Sequence, residues 1–224
     1  MKSHLLIWLL LMISGAAGAQ SNYVQISTNK GNMIVMLYDE TPLHRDNFLK
    51  VIRNGMFKDM EFNRVIKGFV SQGGELDETI LDREKLHPGQ TLQRIAAEIK
   101  PNLYHKKGAL GAGRNDNPEK SSYVDQIYLV QGKIQTDAQL DLIENKTGRK
   151  FSAEQRNTYK KTGGTPGLDG DYTIFGELIS GMAVAEAINN VPASTKDRPL
   201  SPVTFTFHIL TAKEIKKLHE NSGH

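Results

Sequence analysis

The chain has 224 residues, of which 38% are hydrophobic and 24% charged, and it contains no cysteine. That apolar share suits a folded core and the length suits one domain, while the missing thiols exclude disulfides, thiolate metal sites, a cysteine nucleophile and lipid attachment to cysteine. A net charge of +3, from 28 basic and 25 acidic residues, gives no basis for a nucleic-acid or membrane-surface partner.

Residues 1–20 carry a positive start at Lys2, an unbroken apolar run over 5–13, and small residues ending in Ala17-Gly18-Ala19. This is the three-part pattern of a secretory signal peptide, so residues 1–19 are expected to be cut away and 20–224 to form a single mature domain. The apolar run is shorter than the about 20 residues a membrane span needs, so no stable membrane anchor is expected after cleavage. The sole tryptophan, Trp8, would leave with this segment.

Residues 23–27 alternate, Asn29-Lys30-Gly31-Asn32 is a turn, and 33–38 is a nearly continuous apolar run. Together they predict an opening β-hairpin. Thr41-Pro42 begins a helix with Thr41 as its cap, Phe48, Val51 and Ile52 on its inner face and Gly55 beyond its end. Residues 61–74 are strand-like with a break at Lys67-Gly68, whereas 75–107 are polar and predict an irregular surface insertion. A strand is expected over 126–130. Residues 133–164 predict a charged helical hairpin, because Thr136 with Gln139 and Ser152 with Gln155 both have capping-box spacing. A strand at 173–178, a short helix at 180–190, a strand at 203–210 and a terminal helix at 211–220 complete the chain. Many strands with a helix near each end predict a mainly β barrel plugged by helices.

Few residues have the spacing that chemistry needs. Gly111-Ala112-Gly113 lacks the third glycine of a dinucleotide fingerprint. His44, His87, His105, His208, His219 and His224 have no metal-ligand spacing and read as surface or structural residues, so no metal or cofactor is expected. The informative stretch is Phe62-Asn63-Arg64-Val65-Ile66-Lys67-Gly68-Phe69-Val70-Ser71-Gln72-Gly73-Gly74. There Arg64 shares strand parity with Phe62 and Ile66. Burying an unpaired charge is costly, so Arg64 either pairs with an acid or faces a concave site.

This stretch resembles the signature of the cyclophilin peptidyl-prolyl isomerases, departing from it at Asn63, where the family usually has histidine. Further blocks follow in family order: Lys107-Gly108-Ala109-Leu110 with Ala112, then Gln126-Ile127-Tyr128-Leu129, then Leu168-Asp169-Gly170-Asp171-Tyr172-Thr173-Ile174-Phe175-Gly176, and Asp197-Arg198-Pro199 before the last strand. The resemblance spans about residues 23–211 and implies a closed antiparallel cyclophilin-like β-barrel capped by helices. It also makes 75–107 and 133–164 insertions, the second a helical hairpin.

The resemblance implies cis–trans isomerisation of the bond before proline, with proline-containing peptides and partly folded exported proteins as partners. Carried over, Arg64 is the catalytic hydrogen-bond donor, Gln72 orients it, and Phe69, Val70, Tyr128 and Leu168 form the proline pocket with Tyr172 at its rim. Ala112, Gly113 and Gln126 would hold the flanking peptide. The Tyr128 hydroxyl, where the family has phenylalanine, needs a partner. Gly113 stands for asparagine, and Gly167 for the tryptophan of cyclosporin-sensitive members, so weak cyclosporin binding is expected. The exported bacterial members tend to share Tyr172, which points to the periplasm, with secretion as the alternative. A non-catalytic module that binds proline-containing peptides or a partner protein is the competing reading, and the 133–164 hairpin as a docking surface is a third.

Overall fold

The computed structural model describes residues 22–87 and 93–221. The expected signal peptide and Trp8 lie outside the described residues. In chain order the elements are β1 (Tyr23–Thr28), β2 (Gly31–Leu37), α1 (Pro42–Arg53), β3 (Arg64–Ile66), β4 (Val70–Gly74), α2 (Asp77–Leu86), β5 (Arg94–Ile95), β6 (Ala109–Ala112), β7 (Ser122–Tyr123) and β8 (Gln126–Val130). Then come α3 (Asp137–Thr147), α4 (Ala153–Lys161), a 3₁₀ turn (Pro166–Leu168), β9 (Ile174–Ser180), α5 (Met182–Asn189), β10 (Phe205–Ile209) and α6 (Ala212–Asn221).

Eight of these strands form one antiparallel sheet in the order β10-β1-β2-β9-β6-β8-β4-β3, and β5 pairs with β7 apart from it. The sheet is a half-barrel. It does not close, which corrects the expected closed barrel. The edge strand β3 has only three residues, and the Val65 N–H is taken by the Asp197 carbonyl at 2.7 Å. The edge strands β3 and β10 do not pair; the residues just before them are joined by one isolated bridge, Glu61 with Thr204, beside a Phe62 N–H to Val203 carbonyl bond of 2.9 Å. One side of the sheet buries Ile26, Val35, Leu37, Phe62, Leu129 and Phe205 with Phe48 and Leu49 of α1. Phe48, Phe57, Phe205 and Phe207 pack edge-on or tilted at 4.8–6.1 Å, the geometry that ring quadrupoles favour.

Two local expectations change. Thr41 makes no side-chain cap on α1. Instead the Glu98 carboxylate accepts the N–H groups of Leu43 (3.0 Å) and His44 (2.9 Å), satisfying two free amides of the helix start from 54 residues away. Residues 75–107 are not irregular throughout: they hold α2 and β5, tied down by an Arg94–Glu84 ion pair and by Arg94 stacked 4.4 Å over the Tyr123 ring. The 133–164 hairpin has both expected capping boxes, and Gly148 adopts φ +72° to end α3. Its charge is largely internal, since Arg156 braces Asp137, Asp141 and Glu144 from the facing helix. A small core of Leu140, Phe151 and Tyr159, joined by Tyr104, seats the hairpin on the body.

Candidate functional site

The β3–β4 hairpin puts Arg64 directly opposite Gln72. Cross-strand neighbours lie on the same face, so the side chains meet: Arg64 Nη1 donates to Gln72 Oε1 at 3.3 Å. Asp197 stands 3.9 Å from Arg64 Nε. The Arg64 side chain is 47% exposed and borders a cavity, so both readings open in the sequence hold: it has an acid within ion-pair distance and it faces a concave site. Asn189 of α5 holds the turn, accepting from the Gly68 N–H at 2.8 Å and donating to Ser71 Oγ at 3.0 Å. Gly68 has φ +69°, a conformation that β-carbons disfavour. Asn63, the departure from the family histidine, is buried and donates to the Gly74 carbonyl at 2.6 Å.

Beside Arg64 lies a cavity of about 280 Å³, lined by Phe69, Val70, Gln72, Gly113, Gln126, Tyr128, Leu168 and Tyr172, together with Asp77 and Arg114. Nine of the ten predicted site residues therefore converge there. Ala112 does not. Along β6 side chains alternate: Gly111 faces Tyr128 and Gly113 faces Gln126, which turns the Ala112 methyl into the main core. Val70, Tyr128 and Ile174 form an apolar floor against which Phe69, Leu168 and Tyr172 pack. At one end the Gln126 amide donates to Asp77 (2.5 Å) and to the Glu75 carbonyl (2.9 Å). A β-carbon on residue 113 would lie 1.8 Å from Gln126 Oε1, so glycine there gives that amide its space. Arg114 donates to the Asp171 carbonyl at 2.7 Å and stacks 4.6 Å over the Tyr172 ring. Gly167 has open space around its Cα.

Three residues of this region escaped the sequence reading. Asp77 belongs to α2, within a segment expected to be irregular. Arg114 follows Gly113, one position past the quoted motif. His105 is the partner that Tyr128 requires, with Nε2 2.8 Å from the phenolic oxygen; that unmet hydroxyl was the signal that could have found it. Burial drives the Tyr128 phenol well above its ordinary pKa, so it stays protonated. No group of three or more His, Asp or Glu residues that could hold a metal occurs among the described residues.

A family model described as cyclophilin type peptidyl-prolyl cis-trans isomerase/CLD matches residues 23–208. A Staphylococcus haemolyticus protein assigned as a peptidyl-prolyl cis-trans isomerase is 31% identical over 187 residues, covering 82% of this chain and 89% of the relative. A Staphylococcus aureus protein assigned in the same way is 30% identical, over 80% of this chain and 87% of its own length. In fold the chain is similar to a cyclophilin-type isomerase of Cryptosporidium parvum, with a TM-score of 0.61 at 22% identity over 85% of this chain and 98% of that one. A second crystal structure of that protein was determined in the presence of the dipeptide Ala-Pro.

Proposed function

The chain belongs to the cyclophilin-type peptidyl-prolyl cis-trans isomerases, and on that premise we propose that the cavity beside Arg64 is where it turns the bond before proline. The observation that carries this reading is a cation held by Gln72 at the rim of a hollow with an apolar floor. The barrier to rotation, roughly 18–20 kcal/mol, comes from amide resonance. A proline ring seated against Phe69, Val70, Tyr128 and Leu168 would be fixed while the preceding acyl group turns. Arg64 would then donate to the prolyl carbonyl and favour the pyramidal nitrogen of the twisted amide. Guanidinium suits this because it stays charged and presents its donors in a fixed plane.

In the free protein Arg64 is half exposed; a bound peptide would cover it and strengthen its hydrogen bonds as water leaves. An acceleration of about 10⁴ needs about 5.5 kcal/mol of preference for the twisted state. Gly113, Arg114 and the Gln126 amide would hold the flanking backbone. The reaction cleaves no covalent linkage of the peptide; it turns one bond. In an isomerisation assay on a proline tetrapeptide, Arg64→Ala is expected to lower kcat/KM about 10²–10³-fold. Activity equal to that of the parent would overturn the assignment of Arg64.

The N-terminal pattern further supports export, with periplasmic or secreted proteins as clients. Intact mass of the exported protein should then correspond to a chain starting at Gln20, and it should show no tryptophan emission. An exported protein that keeps residues 1–19 would refute the cleavage.

A further inference from the structure

Tyr128 carries a hydroxyl into the floor of an apolar pocket, and a buried hydroxyl without a partner is costly. Its oxygen reaches His105 Nε2 at 2.8 Å. His105 Nδ1 is 2.7 Å from Asp169 Oδ1, and the His105 backbone N–H donates to the same oxygen at 2.8 Å. The other Asp169 oxygen accepts the Tyr159 hydroxyl at 2.6 Å. All four residues are buried. The proton positions follow from the partners. Asp169 only accepts, so Nδ1 donates to it, and with Nε2 receiving the Tyr128 O–H every hydrogen of the chain has a partner.

The chain crosses three parts of the molecule. Tyr128 is on β8, Asp169 adjoins the pocket residue Leu168, and Tyr159 is on α4 of the inserted hairpin. The ring itself is boxed in. His105 lies parallel to it (9° between planes, centroids 6.0 Å apart), Tyr172 stands edge-on at 6.1 Å, and Gly111 lies beneath. A β-carbon on residue 111 would be 2.2 Å from Tyr128 Cζ, so the ring has no room to sink. A phenylalanine would fill the same floor without a tether. The hydroxyl adds one.

Resting on the reading of this cavity as the isomerase site, we propose that His105 and Asp169 are positioning residues of the proline pocket. They fix the Tyr128 ring through a hydrogen-bonded chain anchored by Tyr159 in the inserted hairpin. The hairpin is thereby part of the active site's support, although it contributes no residue to the cavity. A purely structural role for the chain would affect stability and leave the chemistry of the folded protein alone.

The test is a double-mutant cycle on kcat/KM with a proline tetrapeptide. Tyr128→Phe keeps the ring and deletes the tether. His105→Asn keeps a donor at the Nδ1 position for Asp169 and deletes the link to Tyr128. Each is expected to lower kcat/KM about 5-fold, and the double variant to be no worse than either single one. Tyr159→Phe, which deletes the anchor on Asp169 without touching the cavity, should lower it about 2-fold while KM and kcat shift together as in Tyr128→Phe. The ring-nitrogen NMR signals of His105 in the parent should show protonated Nδ1 and bare Nε2, and should move when an Ala-Pro peptide saturates the site. Those of His44, which is also buried, should stay still. Multiplicative single effects, unchanged kcat/KM in folded variants, or a silent His105 signal at saturation overturn the proposal. Should His105→Asn fail to fold, Tyr128→Phe, Tyr159→Phe and the parent's NMR response decide. If Arg64→Ala loses activity while these variants do not, the tether alone is wrong. If Arg64→Ala keeps full activity, the reading of the cavity falls first.

Discussion

Residues 122–128 serve two buried histidines, one at each end. At the start of the stretch, Ser122 Oγ lies 3.0 Å from His44 Nε2, and His44 Nδ1 lies 2.7 Å from Glu98. At its end, the Tyr128 hydroxyl meets His105 Nε2, and His105 Nδ1 meets Asp169. Both imidazoles bridge a carboxylate and a hydroxyl, and both are 1% exposed. Their surroundings differ. Glu98 spends its remaining bonds on the amides that open α1, so the His44 set fastens a helix to a loop. Asp169 spends its own on the His105 amide and on Tyr159, and the hydroxyl at the far end belongs to the ring that floors the pocket. The same bonding therefore supports a helix start at one end and the candidate active site at the other. What separates them is the residue that bears the hydroxyl.

That contrast can be broken most sharply at Gly111. Gly111→Ala would drive a methyl into the Tyr128 ring, and overpacking of this kind costs about 3 kcal/mol. Isomerase activity should collapse along with the melting temperature, and normal activity in a folded Gly111→Ala protein would show that the ring need not lie where it does. At the other end, Glu98→Ala removes both the cap and the His44 partner, for an expected loss of about 2 kcal/mol in urea unfolding. Below the transition its kcat/KM should equal that of the parent. A drop in the folded protein would mean that the two histidine sets are coupled.

The smallest effect lies between them. Burial, together with neighbouring Glu75, pushes the Asp125 carboxyl up to about 6. An acid whose folded pKa is raised binds its proton more tightly when folded, so the parent gains stability as the pH falls from about 6 towards 4. Above that window the charged form is a burden. Asp125→Asn should thus stabilise the protein at pH 8 by about 1 kcal/mol, a figure reduced because Arg83 offsets part of the burden of the charge. The gain should vanish near pH 4. A gain that is constant with pH would point to packing and away from charge.

Much of this was legible in the chain itself. The strand-like stretch over 61–74 and its break at Lys67-Gly68 are visible as composition, and the resemblance of that stretch singles out Arg64 and Gln72; the hairpin register that sets the two opposite each other is seen only in the fold. The capping boxes at Thr136 and Ser152 mark where the inserted helices start, because a cap satisfies amides only two or three positions away. These features depend on neighbours in sequence, where alternation and capping act. Tertiary structure decided the rest. Glu98 replaces Thr41 at the start of α1, the sheet stays open because β3 is short and Asp197 takes one of its donors, and strand alternation turns Ala112 away from the cavity. Asp77, Arg114 and His105 enter the site from other segments. The missing partner of Tyr128 was foreseeable as a need. Its identity was not, because His105 is 23 residues from Tyr128 in sequence and Asp169 is 64 residues from His105. Composition and periodicity record which groups a chain must bury, but only the packed fold brings together the distant groups that satisfy them.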